Sequence, residues 1–478
     1  MNMSQQSVDS GFYASSVSRT PFSSVSLLIP AGSRNLDESA KTKEHVPEPL
    51  VTPFKRRMIL FQLWFNTYRK FFTVIVILNL VGIIMAALDR FSYAENHLGA
   101  LVLGNILAAI LVRNELFGRF LYLISNKCLR WAPTCVKLAV VSMLQHLGGV
   151  HSGCALSGTA WLVYDIVTII QHHTHLTVIV MGILTCTFMA ICIASAFPWV
   201  RNNHHNIFER YHRFMGWMAL AATWSFVILG NVYDYKNGTW RSDAHSFLGT
   251  QEVWFSILIT VFIFAPWVTV REVSVEVEIP SPKVAVLKFK RGMQQGLLGR
   301  IGRSAALEYH AFGIISEGKN SGCHYMVCGV QGDFTKSLVV NPPKTIWTRE
   351  LKFAGPGHAS AMFKRGIRIC TGTGIGAALS TCIQSKDWFF IWIGSDQEKT
   401  FGPTISNLIY KHIEPERMII WDTKKRGGRP DNMQLLRDTW HSFGAEVIFI
   451  TSNMRGNDEM MQGCRAAGLH AFGTLWDF

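Results

Sequence analysis

The stretch IRICTGTGIGA, residues 367–377, decides the fold of the C-terminal half. Residues 367–370 are apolar apart from Arg368 and predict a buried strand, which the following glycines end in a tight turn. The Ala- and Leu-rich segment that follows predicts a helix. Glycines allow a backbone to approach a pyrophosphate closely, and a helix start offers free N–H groups and a positive dipole. The stretch therefore favours a nucleotide-binding turn over a strand–helix turn without a ligand.

Strands and helices alternate on the C-terminal side of this turn. The predicted order is strand 388–393, helix 404–412, strand 418–421, helix 432–443, strand 446–450, helix 458–467 and strand 471–478. Such an alternation is typical of a parallel sheet with helices on both faces. Residues 361–478 are therefore predicted to form a doubly wound α/β domain.

The preceding segment, residues 272–360, follows a different rhythm. Val273, Val275, Val277 and Ile279 alternate with polar residues, which is the period-2 pattern of a half-buried strand. Further short apolar runs at 284–290, 309–315 and 324–330 are separated by Gly- and Pro-rich turns. Short strands without a helical pattern predict a small antiparallel β-barrel.

Composition points to a membrane for the N-terminal part. Only 16% of the residues are charged and the mean hydropathy is +0.20, which is unusual for a soluble enzyme. A transmembrane helix needs about 20 apolar residues. Six candidate spans occur within residues 55–271, at Phe71–Leu88, Leu98–Val112, Leu138–Ile170, Leu176–Val200, Phe214–Val232 and Val253–Val270. Residues 1–54 are polar and predict a disordered cytosolic tail.

The distribution of Lys and Arg fixes the predicted orientation. Basic residues are concentrated before the first span and in the loops after the second and fourth spans, so both termini are predicted to be cytosolic. The sequon Asn237-Gly238-Thr239 then falls in an outer loop and predicts N-glycosylation. The net charge of +14 resides largely beside apolar segments, which argues against nucleic acid as a partner. We expect a multi-pass protein in the bilayer of the plasma membrane or an endomembrane, with protein partners unknown.

Four stretches carry a resemblance to a known family. They are EYHAFG (308–313), GDFTKSL (332–338), the turn at 372–377 and GRPD (428–431). Together they resemble the ferredoxin-reductase fold of ferric reductases and NADPH oxidases, which joins a six-helix membrane domain to a flavin barrel and a nucleotide-binding domain. The stretches LWFNTYRK (63–70) and RNELF (113–117) resemble fungal TmpA-type transmembrane proteins, and similar regions occur behind adenylate-forming domains in fungi.

The resemblance implies cofactors and site residues. FAD and a nicotinamide nucleotide, NADPH or NADH, are the implied cofactors. The implied binding residues are His310, Phe312, Thr335 and Lys336 for the flavin, Gly372, Thr373, Gly374, Gly376 and Arg429 for the nucleotide, and Phe478 as an aromatic ring against the flavin.

The nucleotide preference stays open at this point. Asp396 lies nineteen residues after Ala377, where an acid can accept a ribose 2′-hydroxyl and favour NADH. Lys424, Lys425, Arg426 and Arg429 offer positive charge to a 2′-phosphate and favour NADPH. The family resemblance leans to NADPH.

The sequence departs from the family in its chemistry. Ala311 and Gly313 stand where relatives have Pro and a hydroxyl residue that bonds the flavin ring. Thr451-Ser452-Asn453 stands where relatives have a Cys-Gly pair that assists hydride transfer. Both departures weigh against a fully conventional hydride site.

The haem ligands of the family are incomplete. Relatives hold two haems with histidine pairs about thirteen residues apart on the third and fifth spans. Here His146 or His151 could pair with His212, but thirteen residues beyond His146 and His212 stand Thr159 and Ser225. On one helix His146 and His151 would also lie about 140° apart. The incomplete ligand set argues against haem, and no CxxC pair indicates another metal site.

The sequence leaves two main functions open. The first is a membrane flavoprotein oxidoreductase of ferric-reductase-like type that passes electrons from NAD(P)H through FAD to an unknown acceptor. The second is a non-enzymatic membrane signalling protein that retains a degenerate reductase scaffold. A transporter is third, because six spans suffice but no repeat or broken-helix pair indicates one.

Overall fold

The structure is a computed structural model that describes residues 52–234, 237–240, 247–306 and 308–475, with the backbone alone at His205. Phe478 and the predicted tail up to residue 51 lie outside the described residues. Residues 53–478 form one compact unit, so the predicted domain boundaries near 271 and 360 stay predictions.

The N-terminal half is helical. Its helices are α1 (Pro53–Trp64), α2 (Thr67–Ala87), α3 (Ser92–Leu111), α4 (Glu115–Cys128), α5 (Thr134–Gln145), α6 (Gly148–Gln171), α7 (Leu176–Ser195), α8 (Pro198–Asn203), α9 (His205–Val232) and α10 (Gln251–Val268). In the described part of the chain, α2, α3, α6, α7, α9 and α10 are long and apolar enough to cross a membrane. Each of them overlaps one of the six predicted spans.

A shared polar contact joins three of these helices. The side-chain oxygen of Asn79 on α2 accepts hydrogen bonds from Asn105 Nδ2 on α3 and Trp161 Nε1 on α6, each at 2.9 Å. Buried polar groups in an apolar bundle require such partners. The contact therefore fixes the rotation of all three helices.

The third predicted span, Leu138–Ile170, is wrong in its first part. The chain breaks after α5 at His146, and α6 begins at Gly148. A Cβ atom at Gly149 would lie 2.1 Å from the Tyr68 carbonyl oxygen, so the break and this glycine allow α6 to start directly against α2. His146 and His151 consequently lie on different helices, and their predicted separation on one helix is wrong.

The short hairpin β1 (Tyr233–Asp234) and β2 (Thr239–Trp240) follows α9, and a curled antiparallel sheet follows α10. Its strands are β3 (Val270–Ser274), β4 (Glu276–Ser281), β5 (Val284–Lys290), β6 (Leu297–Gly302), β7 (His310–Ile315), β8 (Cys323–Gly329), β9 (Thr345–Arg349) and β10 (Phe353–Ala354), with α11 (Asp333–Val340) after β8. The order is β3-β9-β6-β7-β8-β5-β4, with β10 paired to β6. The predicted antiparallel barrel-like domain is confirmed as a curled sheet, although the sequence did not predict β6, β9 or β10.

The C-terminal part of the chain contains a five-stranded parallel sheet. Its elements are β11 (Gly366–Thr371), α12 (Ile375–Gln384), β12 (Trp388–Gly394), α13 (Gln397–His412), β13 (Met418–Asp422), α14 (Asn432–Phe443), β14 (Val447–Thr451), α15 (Met454–Ala466) and β15 (Ala471–Phe472). The strand order is β13-β12-β11-β14-β15. The chain therefore winds outward from β11 in both directions, and a topological switch point lies between β11 and β14. Ligands of such sheets bind at that point.

Two predicted helix starts in this domain are corrected. The helix predicted at 404–412 is the part of α13 that follows a kink at Gly402, where φ is +78° and the backbone is not helical; the part from Gln397 to the kink was not predicted. The helix predicted at 458–467 begins at Met454, because the Asn453 side chain accepts a hydrogen bond from the Gly456 N–H at 2.9 Å and caps it. The predicted last strand is described only as Ala471–Phe472.

Candidate functional site

A cleft of about 1570 Å³ opens between the antiparallel sheet and the carboxyl edge of the parallel sheet. It is lined by most of the residues that the resemblance implicates, namely His310, Phe312, Thr335, Gly372, Thr373, Gly374, Gly376 and Arg429. Lys336 and Asp396 are not among the lining residues. The cleft thus brings the flavin-type and nucleotide-type stretches together around one space.

The Gly-rich turn forms one wall of the cleft. Gly372 has φ of +50° and a Cβ there would meet open space, so its backbone faces the cleft in a conformation that glycine tolerates. Its carbonyl oxygen accepts a hydrogen bond from Trp392 Nε1 at 3.0 Å. At Gly374 a Cβ would lie 2.5 Å from the Thr451 carbonyl oxygen, so only glycine lets the turn sit against β14.

The residues across the switch point are joined by hydroxyl groups. Thr371 Oγ1 at the end of β11 lies 2.9 Å from Ser452 Oγ, which follows β14. Both residues, together with Thr451 and Asn453, line the cleft. Thr451-Ser452-Asn453, where β14 ends, therefore presents hydroxyl groups to the cleft at the switch point.

Strand β7 and helix α11 form the opposite wall. The His310 ring stacks on the Phe334 ring with 4.1 Å between centroids, and Phe312 lies 6.3 Å from the same ring. At Gly313 a Cβ would lie 2.5 Å from Ala377 Cα at the start of α12. Glycine at this position is thus required by the close approach of β7 to α12.

The start of α11 is built around Thr335. Its hydroxyl oxygen accepts hydrogen bonds from the N–H groups of Gln331 at 3.0 Å and Gly332 at 3.1 Å. A Cβ at Gly332 would meet nothing within 4 Å, so the backbone at this helix start is accessible from the cleft. Lys336 is the next residue of α11. Its backbone N–H donates a hydrogen bond to the Gly332 carbonyl oxygen at 2.9 Å.

A buried arginine supports the nucleotide turn from behind. Arg368 on β11 is 3% exposed, and its guanidinium donates to the Ala377 carbonyl oxygen and lies 5.4 Å from the centre of the Phe449 ring. Burial lowers the pKa of Arg368 from its ordinary value. Because Ala377 belongs to the first turn of α12, this contact holds the helix start at its position beside β7.

Asp396 and Arg429 occupy different environments. The Asp396 carboxylate accepts a hydrogen bond from Lys424 Nζ at 3.0 Å, and its backbone N–H donates to Asp422 Oδ1 at 3.0 Å. The Asp396 carboxylate is therefore paired with Lys424, which the sequence predicted to bind a 2′-phosphate. Arg429, by contrast, lines the cleft.

Sequence reasoning missed several lining residues. Asn206, Glu209 and Arg210 at the start of α9 line the cleft, so the helical domain contributes to its wall. Asn432 also lines it, and its buried Oδ1 has no hydrogen-bond partner among the described residues. No local motif marks these positions, because only the packing of α9 and α14 brings them to the cleft.

The three histidines considered as haem ligands separate into two groups. The rings of His151 on α6 and His212 on α9 lie 6.4 Å apart between centroids. His151 Nδ1 lies 2.9 Å from the Ala109 carbonyl oxygen, and His212 Nδ1 lies 3.0 Å from the Cys192 carbonyl oxygen. His146 lies apart from them at the end of α5, with its Nδ1 near the Ser142 carbonyl oxygen at 2.6 Å.

Comparison with known proteins finds similarity to fungal reductases. The model of the adenylate-forming reductase 03009 C-terminal domain matches residues 357–478. Adenylate-forming reductase 06235 of Coprinopsis cinerea is 28% identical over 423 residues, which are 86% of this chain and 40% of that protein. Adenylate-forming reductase 03009 of the same fungus is 27% identical over 421 residues, again 86% and 40%. The chain thus spans about 40% of the length of these relatives.

Solved structures give weaker likenesses. Phthalate dioxygenase reductase matches at 11% identity over 43% of this chain and 68% of that chain, with a TM-score of 0.33. A flavohemoglobin from Malassezia yamatoensis matches at 10% identity over 78% of this chain and 98% of that chain, with a TM-score of 0.37. TM-scores of this size do not establish a shared fold.

Proposed function

We propose that this chain is a membrane-bound flavoprotein oxidoreductase that takes a hydride from NADPH or NADH into FAD and passes electrons to an acceptor. The observation that carries the proposal is the cleft, in which a flavin-type wall and a nucleotide turn face each other at the switch point of a doubly wound sheet. Two different walls are what a site for two ligands, a flavin and a nicotinamide nucleotide, requires.

The cleft fits a dinucleotide in size and in chemistry. About 1570 Å³ exceeds the range of about 300–1,000 Å³ typical for one small ligand, which leaves room for FAD and part of a second nucleotide. Gly332 and Gly372 leave open space where a Cβ would stand, so backbone N–H groups near two helix starts can meet phosphates. Phe312 and the stacked pair His310–Phe334 offer flat surfaces for a ring.

The residues of the chain have distinct proposed roles. His310 and Phe312 would contact the flavin, and Thr335 shapes the helix start that meets its phosphates. Gly372, Thr373, Gly374 and Gly376 would hold the nucleotide pyrophosphate, with Arg429 available to a 2′-phosphate. The proposed places of Lys336 and of Phe478 follow from the resemblance alone.

The chemistry of hydride acceptance would come from FAD when it is bound. The chain supplies the positioning. The Thr371–Ser452 hydroxyl pair lies at the switch point, where hydroxyl groups can bind the carboxamide of a nicotinamide and orient its ring. Because these residues offer hydroxyl groups and no thiol, we expect hydride transfer to be slow, while binding of the nicotinamide nucleotide is kept.

The relatives support the reductase class. Both fungal relatives are named adenylate-forming reductases, and this chain covers about 40% of each, so only the reductase part of that name is proposed here. The ferric-reductase-like and TmpA-like assignments remain part of the proposal.

The membrane assignment belongs to the same proposal. Six long apolar helices carry it, and inter-domain contacts support its orientation. The basic loop that contains α4 touches the antiparallel sheet through Glu115 and Arg349, 2.9 Å apart, so it lies on the same side as the C-terminal domain. With basic loops in the cytosol, the cleft would be cytosolic and Asn237 would lie outside, where it could be glycosylated.

One observation favours a second candidate function. Thr451-Ser452-Asn453 replaces the Cys-Gly pair, and a non-enzymatic signalling protein could keep nucleotide binding after losing turnover. Neither proposed function involves haem. His151 and His212, whose rings lie close together, are the two histidines that would have to bind its iron.

Dye reduction by the detergent-solubilised protein tests the function. We expect NAD(P)H-dependent reduction of ferricyanide after FAD is added, and a loss of at least about tenfold in Gly374→Val, whose side chain would collide with the Thr451 carbonyl. Gly322→Ala, outside the cleft wall and with nothing within 4 Å of a Cβ, is the control. Nucleotide binding without dye reduction would support the signalling alternative instead. Far-UV circular dichroism and gel filtration separate a local effect from misfolding.

A further inference from the structure

Helix α4 presents one face to the antiparallel sheet and its connection to β11. Glu115 is paired with Arg349 at 2.9 Å, Arg119 Nη1 donates to the Lys352 carbonyl oxygen at 3.0 Å, and Asn126 Nδ2 donates to the His358 carbonyl oxygen at 3.0 Å. Tyr122 between them is buried. These residues recur at the spacing of one helical stripe, which is consequently the docked face of α4.

A second face of α4 is apolar and exposed. Phe120, Leu123 and Ile124 are 54%, 43% and 44% exposed in the described part of the chain. At 100° per residue, the centre of this group lies about 120° from the docked face. Exposing three large apolar side chains to water is unfavourable in free energy, so we expect an apolar partner to cover this face.

Positive charge continues the same stripe. Lys127 lies one turn beyond Leu123 on α4 and is exposed. Arg130 and Trp131 follow, with Trp131 88% exposed and the Arg130 guanidinium 6.0 Å from the centre of its ring. The sequence has no acidic residue between Glu115 and Asp165. An exposed apolar face that continues into Lys127, with Arg130 and Trp131 just beyond the helix end, has the composition of a helix that lies in a membrane interface.

The position of α4 agrees with that occupant. The helix begins at Glu115, four residues after α3 ends at Leu111, so it starts at the surface that α3 would leave. We propose that the exposed face of α4 lies in the leaflet on the side of the C-terminal domain and binds anionic phospholipid headgroups through Lys127 and Arg130. This inference rests on the membrane assignment in the proposed function, but not on flavin chemistry.

Such a helix would connect lipid to the barrel-like domain. The same α4 that meets the headgroups holds Arg349, Lys352 and His358 of that domain on its other face. Lipid binding would therefore order α4 and its docked face together.

Hydrogen–deuterium exchange of residues 115–131 tests the proposal in the full chain. We compare nanodiscs of phosphatidylcholine alone with nanodiscs that contain about 30% phosphatidylserine, and expect at least about fivefold slower exchange in the anionic nanodiscs. High salt should reduce the difference, because it screens charges at the bilayer surface. The readout needs neither FAD nor a nucleotide, so it stays informative if the flavin proposal fails.

Variants make the comparison specific. Lys127→Glu combined with Arg130→Glu should abolish the response to phosphatidylserine, whereas Lys283→Glu combined with Lys344→Glu, two exposed lysines of the antiparallel sheet, should retain it. Slow exchange in both nanodiscs alike would overturn the preference for anionic lipid. Fast exchange in both would point to a protein as the occupant and overturn the lipid assignment. A chain that inserts into neither nanodisc would overturn the membrane assignment and this proposal with it.

Discussion

Gly313 is the residue at which β7 meets the first turn of α12. Its missing side chain lets β7 approach the first turn of α12, since a Cβ would lie 2.5 Å from Ala377 Cα. We expect Gly313→Ala to lower the free energy of unfolding by about 1–3 kcal/mol, because backbone atoms on both sides must move apart. Thermal unfolding of the solubilised protein measures the change.

The control for this substitution is Gly322→Ala. A Cβ at Gly322 meets nothing within 4 Å, so its unfolding midpoint should match that of the wild type. Equal unfolding midpoints for Gly313→Ala and Gly322→Ala would contradict the close contact between Gly313 and Ala377.

Arg429 is the residue that decides between the two nucleotides in our proposal. It lines the cleft, whereas the Asp396 carboxylate is held by Lys424 at 3.0 Å. We expect Arg429→Ala to raise the Kd for NADPH about tenfold, since a charged hydrogen bond to a phosphate contributes about 1.5–3 kcal/mol. The Kd for NADH should change less than about twofold.

Isothermal titration with both nucleotides measures this preference. Arg426→Ala is the control, because the Arg426 guanidinium lies 4.5 Å from the centre of the Trp421 ring and is absent from the cleft wall. A similar loss of NADH and NADPH affinity in Arg429→Ala would show that Arg429 does not read the 2′-phosphate.

At this scale the sequence could predict the residues that carry a local motif. His310, Gly372 and Gly374 belong to recognisable stretches, and all three line the cleft. Asn206, Glu209 and Arg210 could not be predicted, because their approach depends on the packing of α9 against a domain about 100 residues later in the chain.

At the scale of elements, one ion-pair cluster joins the antiparallel sheet to helix α13. Glu317, after β7, accepts hydrogen bonds from Lys411 Nζ at 2.7 Å and from His412 at the end of α13. The hydrogen bond from Lys411, and then that from His412, holds the pKa of Glu317 below its ordinary value. Folding therefore favours the ionised carboxylate.

We expect Glu317→Gln to destabilise the protein by up to about 1 kcal/mol at neutral pH, since a partly exposed pair contributes little more. A lowered carboxyl pKa gives stability that is complete above the unfolded value of about 4.3 and is lost as the pH falls through the lower native value. The difference between wild type and variant should accordingly vanish in acid.

Unfolding midpoints measured between neutral pH and acid check this pH dependence. Glu416→Gln, at an exposed carboxylate outside this cluster, is the control, and its unfolding midpoint should follow that of the wild type at every pH. A Glu317→Gln effect that grows as the pH falls would contradict the assignment.

The elements divide into those with a strong pattern and those without one. The six long apolar helices and the strands of the parallel sheet follow hydrophobic runs and were predicted close to their places. The break at His146 was missed, because it depends on the contact of Gly149 with Tyr68 rather than on local composition. Strands β6 and β9 were missed because glycines and charged residues interrupt their alternation.

At the scale of the whole molecule, the strand order 3-2-1-4-5 of the parallel sheet and the cleft in front of it give the strongest indication of function. The alternation of strands and helices predicted the sheet, but not that α9 would close one side of the cleft. The central claim is that this cleft holds a flavin and lets a nicotinamide nucleotide reduce it.

The absorption spectrum of the purified, detergent-solubilised protein, taken without oxygen before and after addition of NADPH, tests that claim most directly. We expect a flavin band near about 450 nm, with close to one FAD per chain, that bleaches after NADPH is added. A protein that shows no such band even after incubation with FAD, or a band that NADPH and NADH leave unchanged, would contradict the claim.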